Sequence, residues 1–166
     1  IMSSDWSSDV CSSDLAHNAA TMTPRPYQAE AIKALDRHVA EKPKVNPCVV
    51  LPTGAGKSPV MAWIIQRWKT EHPPLRVAVL AHRKELVEQN ADKMIAIWPT
   101  ADVGLYAASL DRREMHHAIT FAHIDSVYKR GSDFEPFDVV IVDEAHRIPA
   151  RGEGKYRRFI ADCALQ

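Results

Sequence analysis

Two short stretches of the chain carry residues that could do phosphate chemistry. The first is Leu51-Pro-Thr-Gly-Ala-Gly-Lys-Ser58, a glycine-rich run ending in a lysine and a hydroxyl residue. Gly54 and Gly56 can take backbone angles closed to other residues. The amides of Thr53, Gly54, Ala55 and Gly56 can then curl around a phosphate at the positive end of a following helix. Lys57 would reach the terminal phosphates of a nucleotide, and the Ser58 hydroxyl would bind Mg²⁺. The strict form of this loop has glycine where Leu51 stands, so the match is not literal. The second stretch is Asp143-Glu-Ala-His146, preceded by Val139-Val-Ile-Val142. Two carboxylates at the end of a buried strand are costly unless they meet a cation. Mg²⁺ held between phosphates supplies one. Asp143 would hold the metal through water, and Glu144 would orient and deprotonate the attacking water. His146 reads as a residue that senses phosphate state, not as a metal ligand. The plainer readings are an ordinary strand-to-helix turn for the first stretch and an acidic helix start for the second.

These residues need elements to position them. Thr23-Pro24 resembles a helix start, with Ala31, Leu35 and Val39 at helical spacing. Cys48-Val-Val-Leu51, apolar and bounded by prolines, predicts a buried parallel strand. Lys57 to Glu71 predicts a helix with Val60, Met61, Ile64, Ile65 and Trp68 on one face, and His72-Pro-Pro74 stops it. Arg76 to Ala81 predicts a second strand. Glu85 to Trp98 predicts a crossover helix with Val87, Ala91, Met94 and Trp98 facing inward. Asp102 to Tyr106 and Ala118 to Phe121 are weaker strand candidates, His123 to Lys129 a short helix or turn, and Gly154 to Leu165 a last helix. Val139 to Val142 is the clearest strand. Strands alternating with helices imply an α/β fold with a parallel sheet flanked by helices. In such sheets ligands lie beyond the carboxyl ends of the strands.

Composition narrows the class without naming the ligand. The chain has 166 residues, 46% of them hydrophobic and 25% charged, as expected of one globular domain. No apolar run approaches the roughly 18 residues of a membrane span. Lys plus Arg equals Asp plus Glu at 21 each, so any nucleic-acid site must be a local patch. Cys11, Cys48 and Cys163 are too far apart for a zinc pattern or disulfide framework, which makes a reducing, cytoplasmic setting the default. His116-His117 reads as surface loop, and Arg157-Arg158 as a solvated helix face. Residues 1–15 repeat Ser-Ser-Asp three times and lack a signal peptide's basic and apolar regions. They resemble translated sequencing-adapter read-through and are expected to be a non-native or disordered tail. Residues 16–166 are then the domain, with 21 basic against 18 acidic residues and a natural start at Met22 or further upstream.

The lysine-serine loop and the Asp-Glu-Ala-His stretch together resemble the first RecA-like domain of superfamily 2 DEAD/DEAH-type helicases. The type III restriction-subunit and RadD-like branch is nearest. The resemblance runs from about Pro24 to Leu165. It implies an ATP- and Mg²⁺-binding domain, catalytic Lys57, Asp143, Glu144 and His146, and a nucleic-acid-dependent ATPase or helicase acting on single-strand or duplex DNA, with RNA as the alternative. Arg25-Pro-Tyr-Gln28 resembles the adenine-reading Q motif: Gln28 offers a donor and an acceptor to the base edge, and Tyr27 could lie beside it. Ala81-His-Arg-Lys-Glu-Leu86 resembles motif Ia, with Arg83 on a nucleic-acid phosphate. Thr120-Phe-Ala-His-Ile-Asp-Ser-Val127 resembles the motif that grips a second phosphate through Ser126. It departs from the pattern at His123 and Asp125, and a carboxylate at 125 would repel a phosphate.

The resemblance also implies what these residues lack: the Ser-Ala-Thr motif and the second RecA-like domain with its arginine finger. The family sets the Ser-Ala-Thr strand between the phosphate-loop strand and the Asp-Glu strand. The expectation is therefore a truncated reading frame with feeble nucleotide binding, negligible turnover and no unwinding of its own. Two other functions fit the residues. One is the motor subunit of a type I or type III restriction enzyme; the other is a nucleotide-dependent nucleic-acid-binding module without catalysis. A nucleoside kinase fits poorly, because it leaves Gln28 and motif Ia unexplained.

Pro59 follows the loop serine and has no N–H to offer an α-phosphate. Replacing it, as Pro59→Leu, is expected to tighten nucleotide binding severalfold in a fluorescence titration. An unchanged dissociation constant would show that this amide is irrelevant.

Overall fold

The computed structural model describes residues 22–149, 151–152 and 154–164. The stretch 1–15, with Cys11, lies outside them. Helices α1 (Pro26–Glu41) and α2 (Lys57–Glu71) come first. Then follow β1 (Val77–Ala81), α3 (Lys84–Ile97), β2 (Val103–Ala107), β3 (Arg112–Arg113), β4 (Ile119–His123), α4 (Ile124–Val127), β5 (Val139–Val142) and α5 (Lys155–Ala164). The strands form one sheet in the order β3-β2-β4-β1-β5. All pairings are parallel except that of β2 with the short β3.

Strand β1 is the axis of the sheet. Its Val-Ala-Val-Leu-Ala sequence is buried at all five positions, as a parallel strand covered on both faces requires. The two-residue alternation sends Val77, Val79 and Ala81 to one face. There they join Ala62 and Ile65 of α2 and Val87, Ala91 and Met94 of α3. Ala78 and Leu80 point to the other face, into a cluster with Tyr106, Ile124, Val127, Phe134 and the α5 residues Tyr156, Phe159 and Cys163. Helix α1 lies outside the sheet and packs Ile32 and Leu35 against Val60 and Ile64 of α2. The α5 face recurs at i, i+3 and i+7, the helical repeat.

The expected elements after Arg76 form within one or two residues of their predicted limits. Helix α2 has the predicted limits. Two expectations are corrected. Helix α1 begins at Pro26 after Arg25, not at Thr23-Pro24. Its buried residues are Gln28, Ile32 and Leu35, while Val39 is exposed. Proline at the first helical position costs no hydrogen bond and sets φ, so Pro26 takes the role assigned to Pro24. The larger correction is Cys48–Leu51, which is not a strand. Val49 is 41% and Val50 85% exposed. A run of β-branched residues becomes a strand only with a neighbouring ladder, and no described segment pairs with this one. Strand β5 is an edge strand bonded to β1 alone, and its four residues are half-buried.

The two described cysteines differ in reactivity. Cys48 is exposed and Cys163 buried. Burial, with Asp162 nearby, pushes the Cys163 thiol up to about 11, so little thiolate exists near neutrality. In a Cys11→Ser background at pH 8, a thiol reagent should label Cys48 in a fast phase. Cys163 should react at least tenfold more slowly until denaturant is added, which mass spectrometry resolves.

Candidate nucleotide and nucleic-acid site

The glycine loop enters α2 through two left-handed residues, Gly54 at φ 77° and Gly56 at φ 79°. The second serves as the helix N-cap, so Lys57 and Ser58 stand in the first turn. Side chains at these angles are strained. At Gly56 there is also no room: a Cβ would meet Gln28 Nε2 at 2.6 Å. A Cβ at Gly54 would meet nothing within 4 Å, so that side of the loop is open.

Helix α1 holds this loop. Gln28 is 5% exposed. Its Nε2 donates to the Ala55 carbonyl at 2.8 Å, and Tyr27 donates its hydroxyl to the same oxygen at 3.0 Å. Gln28 Oε1 accepts the Arg25 N–H at 2.9 Å. Both ends of the Gln28 amide are thus engaged by protein. Tyr27 and Gln28 therefore sit beside the loop in contact with its backbone, a contact the sequence did not suggest. Thr53 is exposed at the loop's outer turn.

The carboxyl ends of β1, β4 and β5 bring the other expected residues to one edge of the sheet. The Asp143 N–H continues the ladder to the Leu80 carbonyl at 2.9 Å. Its Oδ2 accepts from Asn90 Nδ2 at 3.0 Å. Glu144 adopts φ 59°, ψ 50°, a left-handed conformation that non-glycine residues seldom take and that costs energy of the kind often found at functional sites. His146 Nδ1 lies 3.2 Å from Glu144 Oε2. His82, next after β1, is held below the usual imidazole range first by burial, then by Arg147 and Arg83, against smaller opposing effects of Glu144 and Asp143. Its Nδ1 is buried without a partner among the described residues. Arg83 caps α3 with its side chain exposed.

Residues 119–127 hold their own network. His123 Nε2 lies 3.1 Å from the His82 carbonyl oxygen, which requires the proton on that nitrogen. Ser126 Oγ accepts the Ala108 N–H at 3.0 Å. Asp125 pairs with Lys155 at 2.7 Å, which offsets part of the repulsion expected for a phosphate beside it. Away from this edge, His117 pairs with Asp102 at 2.6 Å and His116 lies 3.8 Å from Glu135. The Asp102 carboxyl is held below its usual range by the Ala118 N–H first, with His117 adding to it. Arg158 lies 3.9 Å from Asp162, and Arg157 donates to the Pro149 carbonyl.

Sequence reasoning missed Asn90, His82 and Lys155. Asn90 had a readable signal: it is a polar residue on the buried stripe of α3, between Val87 and Met94. Nothing in the sequence pairs Lys155 with Asp125, since the two meet only when α5 packs against α4.

The donor types present suit Mg²⁺ and a triphosphate. A hydroxyl and a carboxylate are hard oxygen ligands. Asp143 Oδ1 has no protein partner among the described residues, and the loop is open at Gly54.

A mostly parallel α/β sheet with a glycine loop entering a helix and an acidic pair at a strand end defines the RecA-like class of motor domain. A family model described as "Type III restriction enzyme, res subunit" matches residues 21–165, and the chain belongs to that family, a branch of the superfamily 2 helicases. It is 28% identical over 159 residues to a type I restriction enzyme EcoAI endonuclease subunit of Escherichia coli, covering 91% of this chain and 19% of that protein. It is 30% identical over 135 residues to the DEAD-box ATP-dependent DNA helicase Fancm of Drosophila melanogaster, covering 72% of this chain and 9% of that protein. Among solved structures, the UvsW helicase from bacteriophage T4 shares the fold, with TM-score 0.61, 16% identity, 91% of this chain and 56% of that chain covered. The chain thus spans a small part of the curated relatives' length. No described helix is long and apolar enough to cross a membrane.

Gly56→Ala should disrupt the contact between α1 and the loop. The left-handed angle costs about 1–2 kcal/mol, and the Cβ displaces Gln28. Urea unfolding should show at least that loss, whereas Gly54→Ala should lose only the conformational part.

Proposed function

We propose that residues 16–166 are the ATP-binding domain of a nucleic-acid-dependent ATPase or helicase, which hydrolyses ATP with Mg²⁺ to drive translocation on DNA or its unwinding. The observation that carries the reading is the attachment of the glycine loop to Tyr27 and Gln28, in a fold whose β5 delivers Asp143 and Glu144 to the ligand-binding edge of the sheet. Asp143 and Ser58 hold Mg²⁺, which neutralises phosphate charge when bound. Lys57 and the amides of Thr53 to Gly56 bind the phosphates and favour the charge that builds up during in-line transfer. Glu144 takes the proton of the attacking water. Its contact with His146 lets the histidine respond to the presence of the terminal phosphate. Gln28 offers the adenine edge the second amide hydrogen and the second lone pair that its contacts with Ala55 and Arg25 leave over. Arg83 and Ser126 contact successive phosphates of the nucleic acid, and the pairing of Asp125 with Lys155 offsets part of the repulsion there. The second RecA-like domain of the parent protein closes the cleft, and the setting is cytoplasmic.

The similarity to a restriction subunit favours a second reading within the same chemistry, the motor of a type I or type III restriction system. A nuclease motif in the parent reading frame would distinguish it.

Lys57→Ala should weaken ADP binding to the chain by at least tenfold in an equilibrium titration. In the longer parent protein, Glu144→Gln should bind ATP normally yet release phosphate at least a hundredfold more slowly, with DNA present. Nucleotide affinity unmoved by Lys57→Ala would overturn the assignment.

A further inference from the structure

Asn90 stands apart from every other residue of the buried stripe of α3. It is 2% exposed, on a helix whose other buried residues are Val87, Ala91 and Met94. A primary amide in such surroundings carries a desolvation cost unless its hydrogen bonds are made. Its Nδ2 donates to Asp143 Oδ2 at 3.0 Å, and bonds to an ionised acceptor are among the stronger ones. The carboxylate it grips is the one assigned above to Mg²⁺.

The geometry points to Asn90 as a positioning residue for Asp143. Two separate elements fix this one residue. The β1 ladder holds its main chain through Leu80, and α3 holds its side chain through Asn90. With Oδ2 occupied, the carboxylate cannot rotate freely, and Oδ1 is left to face the ligand. A neutral donor suits this task. A lysine there would compete with the metal as a cation, and a carboxylate would repel Asp143. Arg83 is the N-cap of helix α3, so the helix that presents a cation to solvent at one end steadies the metal carboxylate from its second turn. A shift of α3 on binding a phosphodiester chain would move Asn90 with it, and linkage makes such an effect reciprocal.

The inference rests on the nucleotide and Mg²⁺ reading of the site, and the test separates the two. ADP binding to the 166-residue chain is titrated with a fluorescent analogue, once in EDTA and once across a Mg²⁺ series. The chains compared are wild type, Asn90→Leu and Asn90→Ala. Leucine keeps nearly the same volume without a donor, and thermal unfolding checks that each variant is folded. Loss of a residue that orients a metal ligand typically weakens metal affinity 10–100-fold. The expected result is a Mg²⁺ half-saturation at least tenfold higher in both variants, with binding in EDTA unchanged. A purely structural asparagine would lower the unfolding temperature and leave the Mg²⁺ half-saturation within twofold of wild type, which overturns the proposal. If both variants fail to fold, the wild-type Asn90 side-chain amide is followed by ¹⁵N NMR with Mn²⁺ and ADP. Broadening beyond detection supports the proposal, and a signal that stays sharp overturns it. Wild type showing no Mg²⁺ effect would overturn the metal reading itself and this inference with it. A Mg²⁺ effect unaltered by the variants overturns only the role of Asn90.

Discussion

The parallel ladder that buries β1 between β4 and β5 is the constraint on which the rest depends. Because β1 is covered on both faces, its register with each neighbour is fixed: a one-residue slip would exchange Val77, Val79 and Ala81 with Ala78 and Leu80. The same register sets three chain exits side by side, at His82, His123 and Asp143. Charged and polar residues cluster at these exits, such as Arg83, Asp125 and Glu144, whereas those within the strands are almost all apolar. A parallel sheet gathers its loops at one edge as a matter of geometry, and here that edge collects Asp143, Glu144, His82, Arg83, His123 and Ser126.

The polar contacts of the candidate site residues join separate elements of the fold. The glycine loop is tied to α1 through one carbonyl that accepts from both Tyr27 and Gln28. Asp143 is tied to β1 by its main chain and to α3 by its side chain. Asp125 is tied to α5 through Lys155. Each contact crosses between elements, so each depends on the apolar packing that brings those elements together. The strained backbone at Glu144 fits the same pattern. The β1–β5 ladder and the Asn90 contact fix the residue before it, and the turn at Ala145–Arg147 fixes those after it.

The family pattern sets a Ser-Ala-Thr strand between the phosphate-loop strand and the Asp-Glu strand, and among the described residues no strand stands there. The segment leading into the loop has strand composition and no ladder partner, and β5 has one neighbour instead of two. Apolar composition is therefore not sufficient for a strand: the same kind of run is buried in β1, half-buried in β5 and exposed at Val50. Hydrogen bonds to a neighbour make the difference, since an unpaired extended run gains nothing from its backbone groups that water does not also supply.

Read alone, the sequence determined the local features. Helix limits follow from proline and glycine positions and from 3.6-residue spacing, as in α2. Strands at 77–81 and 139–142 follow from β-branched runs. The loop chemistry follows from Gly54, Gly56, Lys57 and Ser58 in one stretch, and the acidic pair from its place behind a strand. All of these are encoded by residues close together in the chain. Only the tertiary structure decided which strand became the buried axis, that Cys48–Leu51 went unpaired, that Gln28 and Tyr27 met the loop carbonyl, and that Asn90 met Asp143. Those outcomes link residues far apart in sequence. Packing selects such long-range pairs, and no local propensity or spacing records them.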